Sequence, residues 1–290
     1  MTSAPPRILY VTDLAYPAQG RRYGDEDIGL ASRLREDFTL ALCHPLDAAA
    51  LMADFDAVVI RNSGPVSYYQ EAYDDFRSRA AAAGVRVYPQ LTGRADMAGK
   101  QYLVELSAAG HPVIPTVDRR EDLALLPAAD EYVAKPKRGA DSHGLVILPP
   151  EGLRDLVFDD LLVQPRIRFR YEVSFYFTDG SFQYALYAPR PDQRWLLERY
   201  EPDDADLDFA RRFVEWNTVG HGIQRVDACR TAGGELLLIE LEDLNPYLSL
   251  DLLDAATRDA FVAGLKESLH RFLGSTPSWA VSLGHRITGR

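Results

Sequence analysis

A chain of 290 residues, 47% hydrophobic and 26% charged, has the make-up of a globular protein of one large domain or two to three small ones. Its formal net charge of −11 argues against general affinity for nucleic acid or an anionic membrane, although a local cluster of Lys and Arg can still receive a nucleotide. No apolar run is long enough to span a bilayer, and MTSAPPRILYVTD lacks the apolar core of a secretory signal, so a soluble cytoplasmic protein is expected.

Cys43 and Cys229 lie far apart in apolar runs, which argues against a disulfide framework or a zinc site. Ile8 to Thr12 reads as a short apolar strand, and Asp25 to Asp37 as a helix with Ile28, Leu30 and Leu34 as its apolar positions. Phe38 to Cys43 and Ala57 to Ile60 are further strands. Val66 to Ala83 is a helix stopped by Gly84, and Val85 to Tyr88 a fourth strand. Such alternation predicts a small open parallel sheet with flanking helices, where ligands bind at the carboxyl ends of strands. Thr12 and Asp13 follow the first strand; Arg61, Asn62, Ser63 and Gly64 follow the third. The polar loop from Tyr16 to Asp27, with Arg21, Arg22, Tyr23, Asp25, Glu26 and Asp27, suits a small polar molecule. For each residue alone, a solvated loop is the plainer reading.

Within TGRADMAGKQYLVELSAAGHPVIPT, a helix is expected from about Asp96 to Ala109, with Leu103 and Leu106 apolar and Gly110 at its end. Lys100 in its first turns would offer a phosphate a cation beside a helix N-terminus. In YVAKPKRGADSHGLVIL, a strand carries Lys135, a loop holds Gly139, Ala140, Asp141, Ser142, His143 and Gly144, and Leu145 to Leu148 is a second strand. Small residues there let backbone N–H groups close over phosphates, and Lys135 can reach a phosphate oxygen as a point charge. The GK[ST] ending of a P-loop is missing, and an ordinary β-hairpin is the alternative. LLVQPRIRFRYEVSFYF reads as another strand pair, in which Gln164 suits a nucleobase edge and Glu172 a ribose hydroxyl. Phe182 to Ala188 is a strand running into Arg190, and Asp206 to Thr218 a helix.

Acids concentrate in HGIQRVDACRTAGGELLLIELEDLNPYLSLD. Gln224 to Cys229 and Glu235 to Glu242 read as a β-hairpin about a turn at Arg230 to Gly234. Arg225 and Asp227 share one face, as do Glu240 and Glu242, and Asn245 follows the strand end. Carboxylates among Leu236, Leu238 and Leu241 are costly to bury without a cation, and oxygen ligands of this kind suit Mg²⁺ beside phosphates. A solvated edge strand is the alternative. Asp254 to Leu273 is an amphipathic helix, and Thr276 to Arg290 has no clear period.

In this order the segments resemble the ATP-grasp superfamily of ligases, which includes D-alanine–D-alanine ligase, glutathione synthetase and RimK-type amino-acid ligases. The resemblance covers about Leu91 to Phe272. It implies an α/β (α+β) ATP-grasp fold with a small open parallel α/β domain ahead of it. The expected division is a substrate domain over 1–93, a central lobe with the glycine-rich loop over 94–160, a C-terminal lobe with the metal site over 161–275, and a tail over 276–290. It implies ATP and Mg²⁺ as cofactors. Lys100 and Lys135 are similar to the family's nucleotide lysines, and Gly139 to Gly144, with Ser142, to its phosphate-covering loop. Gln164 is similar to the hinge residue near adenine and Glu172 to the ribose carboxylate. Arg225 is similar to the arginine that steadies the acyl phosphate, and Asp227, Glu242 and Asn245 to the metal ligands. The family commonly has Glu-x-Asn at the last two ligands, but here Asp243 and Leu244 intervene. Glu240 and Glu242 therefore compete, and Asp243 stays open.

The implied reaction makes an acyl phosphate and ADP from an amino-acid carboxylate, then an amide by amine attack, with Lys135 and Arg225 as catalytic groups. RILYVTDLAYPAQGRRYGDEDI, AVVIRNSGP and LTGRADMAGKQYL resemble a narrower group, the antibiotic-forming ligases that close O-ureido-D-serine into D-cycloserine. On that reading Asp13, Asp25, Asp27 and Asn62 bind a small amino acid and Arg190 a carboxylate. An intermolecular amino-acid or dipeptide ligase, a non-ligase ATP-binding relative and a small-molecule kinase are the open alternatives, and a homodimer is an open assembly.

Overall fold

The computed structural model describes residues 4–18, 21–139, 144–190, 193 and 196–274. Ser142, His143 and the tail from 276 lie outside them.

Strands β1 (Arg7–Val11), β2 (Thr39–Cys43), β3 (Ala57–Ile60) and β4 (Val87–Tyr88) form a parallel sheet in the order 2-1-3-4. Covered on both faces, such strands need continuous apolar runs, and Ile8, Leu9, Tyr10, Ala57 and Val58 are fully buried. Helix α1 (Tyr23–Leu34) sends Leu30 and Leu34 to one face; α2 (Gln70–Ala83) sends Phe76 and Ala80 to the other. Helix α1 begins earlier than expected, so Asp25, Glu26 and Asp27 belong to its first turns and not to a loop. Gly84 ends α2 in the left-handed conformation, its N–H capping Ala80 and Ala81 carbonyls.

The helix expected over Asp96 to Ala109 is broken. Asp96–Ala98 forms one 3-10 turn, Gly99 takes a φ of 93°, and α3 runs only from Tyr102 to Ala108. The N–H of Lys100 consequently donates to the Lys137 carbonyl at 2.8 Å, outside the helix. Strands β5 (Tyr132–Pro136), β6 (Val146–Leu148) and β7 (Leu161–Pro165) form a small antiparallel sheet in the order 6-5-7.

Strands β8 (Phe169–Thr178), β9 (Ser181–Ala188), β10 (Glu198–Tyr200), β11 (Ile223–Thr231) and β12 (Leu236–Glu242) form a larger antiparallel sheet in the order 10-9-8-11-12. Leu161 to Phe177 is thus not a strand pair: β7 pairs with β5, and β8 with β9 and β11. The link Arg166-Ile167-Arg168 offers no turn residue that would fold one onto the other. Arg166 and Arg168 instead meet Glu131 and Asp130 at the surface.

Helix α4 (Asp204–Asn217) packs Phe209 and Phe213 on the large sheet beside Phe175, Phe177 and Leu238. Helix α5 (Ala255–Leu273) contributes Phe261, Leu265 and Leu269 to a core that also holds Tyr10, Leu30, Tyr176 and Tyr184. That core joins the parallel sheet to the large one. No helix among the described residues is long and apolar enough to cross a membrane. Both cysteines are free thiols.

Candidate active site

A cleft of about 320 Å³ opens where the sheets meet. Its acidic floor comes from the β11–β12 hairpin. Arg225 pairs across the ladder with Glu242, and Asp227 with Glu240; a bulge after Asp227 resets the register. All four line the cleft, while Val226, Ala228, Leu238 and Leu241 are fully buried beneath them.

Arg225 is the hub. Its Nε donates to Asp227 Oδ1 at 2.9 Å and its Nη2 to Asp227 Oδ2 at 2.8 Å. Nη2 also reaches Glu242 Oε1 at 2.5 Å, and Nη1 the Tyr247 carbonyl at 3.1 Å. Ser174 Oγ donates to the same Asp227 at 2.6 Å. Lys100 Nζ pairs with Glu240 Oε1. Burial opposes ionising Glu240, but Lys100 and Lys135 outweigh it and hold that carboxyl below its ordinary range. Burial pushes Glu242 up to about 8, against Arg225 and with repulsion from Asp227 and Glu240. Burial, aided by Lys100, pushes Lys135 down to about 8 despite Glu240.

Gly139, Glu172 and Asn62 also line the cleft, as does Asn245, whose Nδ2 donates to Ser63 Oγ and the Gly64 carbonyl, both at 3.1 Å. Lys135 lies behind the lining, beside Glu240. Gln164 is buried in the small sheet, its Nε2 donating to Thr116 Oγ1 at 2.7 Å. Gly144 turns with a φ of 74° at the far end of the glycine-rich loop.

The expected amino-acid contacts separate. Asp27 is fully buried and accepts from Tyr10 OH at 2.8 Å, from Thr12 Oγ1 and from Asn62 N, so it braces the parallel sheet. Asp13 accepts from Ala15 N and Tyr69 OH. Asp25 and Arg190 are exposed. Of the five expected contacts, only Asn62 lines the cleft.

Asp243 is also accounted for. It is fully buried and accepts from Ala95 N at 3.1 Å, Met97 N at 2.9 Å and Asn217 Nδ2 at 3.0 Å. Gly93 is required beside it, because a Cβ there would stand 2.2 Å from the Asp243 carboxylate. Asp243 therefore ties α4 to the 3-10 turn and does not face the cleft.

Arg61 and Glu26, which stand among the strand-end and polar-loop candidates, do not line the cleft, whereas Ser174 and Lys137, not singled out in the sequence, do. Lys137 lines the cleft and is held by Asp118 at 2.7 Å. Its signal was present: it stands two residues after Lys135, just before the glycine-rich loop.

Among the described residues, no three acidic, histidine or cysteine side chains already converge as a metal-holding group. The hairpin acids are instead spent on Arg225 and Lys100. Yet the donor chemistry fits a hard cation. Asp227, Glu240 and Glu242 are matched in charge by Arg225, Lys100 and Lys135, so an entering polyphosphate brings an excess of negative charge. Carboxylate and amide oxygens around it are what Mg²⁺ takes.

No protein-family model and no curated protein matches the chain. Solved structures do. D-cycloserine synthetase DcsG is similar over 91% of this chain and 99% of its own, with a TM-score of 0.71 and 22% identity. D-alanine–D-alanine ligase from Bacillus anthracis, complexed with ATP, is similar over 92% of this chain and 97% of its own, with a TM-score of 0.61 and 14% identity. The ATP-grasp ligase PsnB, complexed with a precursor variant, Mg and ADP, is similar over 89% and 98%, with a TM-score of 0.59 and 16% identity.

Proposed function

We propose that this chain, which has the ATP-grasp fold, is an ATP- and Mg²⁺-dependent carbon–nitrogen ligase. The observation that carries the reading is the cleft itself. It gathers three acids, an asparagine and the cations Lys100 and Arg225 beside the base of a glycine-rich loop, at the carboxyl ends of the parallel strands.

Mg²⁺ bound among Asp227, Glu240, Glu242 and Asn245 would offset phosphate charge. Lys100 and Lys135 then hold the triphosphate in place of Glu240. The substrate carboxylate attacks the γ-phosphorus, giving an acyl phosphate and ADP. Catalysis here is positioning and charge stabilisation by groups already fixed. Arg225, held by Asp227 and Glu242, steadies the acyl phosphate and the oxyanion formed when an amine attacks. Water has to be kept from that intermediate, which it would otherwise hydrolyse.

At the finer level the proposed reaction is intramolecular: O-ureido-D-serine closes to D-cycloserine, and one molecule supplies both carboxylate and amine. The three N-terminal strings and the likeness to D-cycloserine synthetase support it. A coupled ADP assay over D- and L-amino acids, with mass spectrometry of the products, tests both levels. The expected product is free D-cycloserine: the oxygen-bound nitrogen of the ureido group attacks the acyl-phosphate carbon, phosphate leaves, and the carbamoyl group is lost by hydrolysis as carbon dioxide and ammonia. ADP release only with two amino acids together would favour an intermolecular ligase. A stable phosphorylated product would mean a kinase, and nucleotide-dependent stabilisation without any ADP would mean a non-ligase relative.

The lysine pair predicts a pH dependence. Lys135 titrates at about 8 in the free protein, below its ordinary value, so its charge is complete well below that pH and lost above it. Nucleotide binding favours the charged form and should take up a proton near pH 8. Affinity for ADP is expected to weaken above it, by at most about tenfold per pH unit. Calorimetric titrations from about pH 6.5 to 9.5 check this; an unchanged dissociation constant across that range would exclude it.

A further inference from the structure

The segment Asn245 to Ser249 joins β12 to the C-terminal helix region and has no regular secondary structure. Its backbone is held from the opposite side by two charged residues of the parallel-sheet region. Glu26 Oε1 accepts from Leu248 N and Oε2 from Leu250 N, both at 3.1 Å. Arg61 Nη1 donates to the Pro246 carbonyl at 3.1 Å, and its Nη2 to Glu26 Oε1 at 3.3 Å. The two side chains are only 3% and 2% exposed, and neither lines the cleft. Between the gripped residues sits Tyr247, which does line it and whose carbonyl takes Nη1 of Arg225. Tyr23, on the same helix as Glu26, packs its ring against Tyr247, the centroids 4.3 Å apart and the planes tilted by 40°.

A buried ion pair yields little net stability, because desolvation offsets its attraction. This one also leaves Arg61 Nε without a hydrogen-bond partner. Its service lies in geometry: carboxylate and guanidinium together fix three backbone groups within five residues. The Arg225 contact to Tyr247 and the Asn245 position depend on where that backbone runs.

We propose that Glu26 and Arg61 are positioning residues, a buried clasp that sets the 246–250 backbone and, through Tyr247 and Asn245, the acceptor end of the cleft. The assignment rests on the ligase reading above. The nucleotide lysines stand on other elements, so the clasp should govern the carboxylate half of the reaction and leave metal-free nucleotide binding alone.

Amide hydrogen exchange on the full, ligand-free chain and steady-state kinetics with ATP and the accepted amino acid test this in Glu26→Gln and Arg61→Lys. A glutamine keeps one acceptor and turns a donor toward the second amide. Exchange at Leu248 and Leu250 should quicken by about tenfold or more in Glu26→Gln, and kcat/KM for the amino acid should fall about 10- to 100-fold. Affinity for ADP measured without Mg²⁺, and so independent of Asn245, should stay within about twofold, a split that mere loss of folding would not produce. Arg61→Lys, which keeps the charge but loses the fork, should show a smaller loss of the same kind. Unchanged exchange at Leu248 and Leu250, or equal losses of ADP affinity and turnover, would overturn the clasp. An unaltered parent that releases no ADP with any amino acid would instead remove the ligase reading, and the positioning role with it, while the exchange data still report the grip.

Discussion

Lys135→Ala protein is expected to fold as well as its parent and to release ADP about 10²- to 10³-fold more slowly. Burial already disfavours the charge on Lys135, as its depressed pKa of about 8 records. Removing the ammonium therefore relieves a cost in the free protein. Glu240 keeps its ion pair with Lys100, so no acid is stranded. The melting temperature should hold or rise slightly. Turnover should behave in the opposite way. A triphosphate entering the cleft adds negative charge beside Glu240, and Lys135 is one of two lysines matched to it. Loss of one fixed charge-stabilising group typically costs about 10²- to 10³-fold in rate, or about 2.7–4 kcal/mol of transition-state stabilisation. A coupled assay with a thermal scan on the same samples decides the matter. Normal turnover would refute the nucleotide role of Lys135, and a collapsed melting temperature would show that the side chain serves the fold.

Legibility in the sequence differs from element to element. The parallel sheet was legible because its strands, buried on both faces, are uninterrupted apolar runs such as Ile8 to Val11 and Ala57 to Ile60. The acidic hairpin was legible because period-two alternation puts Arg225 with Asp227 and Glu240 with Glu242 whatever the register. The bulge that pairs Asp227 with Glu240 was not, since nothing local marks it. Nor was the break before α3: Gly99 with a φ of 93° ends one turn so that Lys100 can meet Lys137, a contact set by the small sheet. The substrate side was the least legible. Asp25 and Asp27 sit two apart on one helix, yet one is exposed and the other fully buried among Tyr10, Thr12 and Asn62. Glu26, between them, reaches Leu248 and Leu250 more than two hundred positions away. Charged residues that work from inside a fold owe their burial to such distant partners, and composition cannot announce it. Asp243 makes the same point. Next to the last strand it looks like a third ligand, but Ala95, Met97 and Asn217 consume its oxygens.

Arg225 should behave unlike Lys135, with stability and rate falling together. It is the only side chain among the described residues that pairs with both Asp227 and Glu242, and it also ties down the Tyr247 carbonyl. Arg225→Ala leaves two half-buried carboxylates facing each other without their counter-charge. Breaking a fully buried ion pair in that way costs about 3–5 kcal/mol, and solvent in the cleft brings this loss below that range, still enough for thermal or denaturant unfolding to register. Glu242, already at about 8, would be driven further toward its neutral form. Arg225→Lys keeps the charge but not the fork that holds both acids at once. It should recover much of the lost stability and little of the rate, staying about 10²- to 10³-fold below the parent. The discriminating measurement adds Mg²⁺ and ADP to the lysine variant. If the hairpin acids form the metal site, the pair should raise the melting temperature of Arg225→Lys at least as much as that of the parent, because acids released from the arginine are free to bind. Parental turnover in the lysine variant would show that the guanidinium holds the hairpin together and has no part in the transfer.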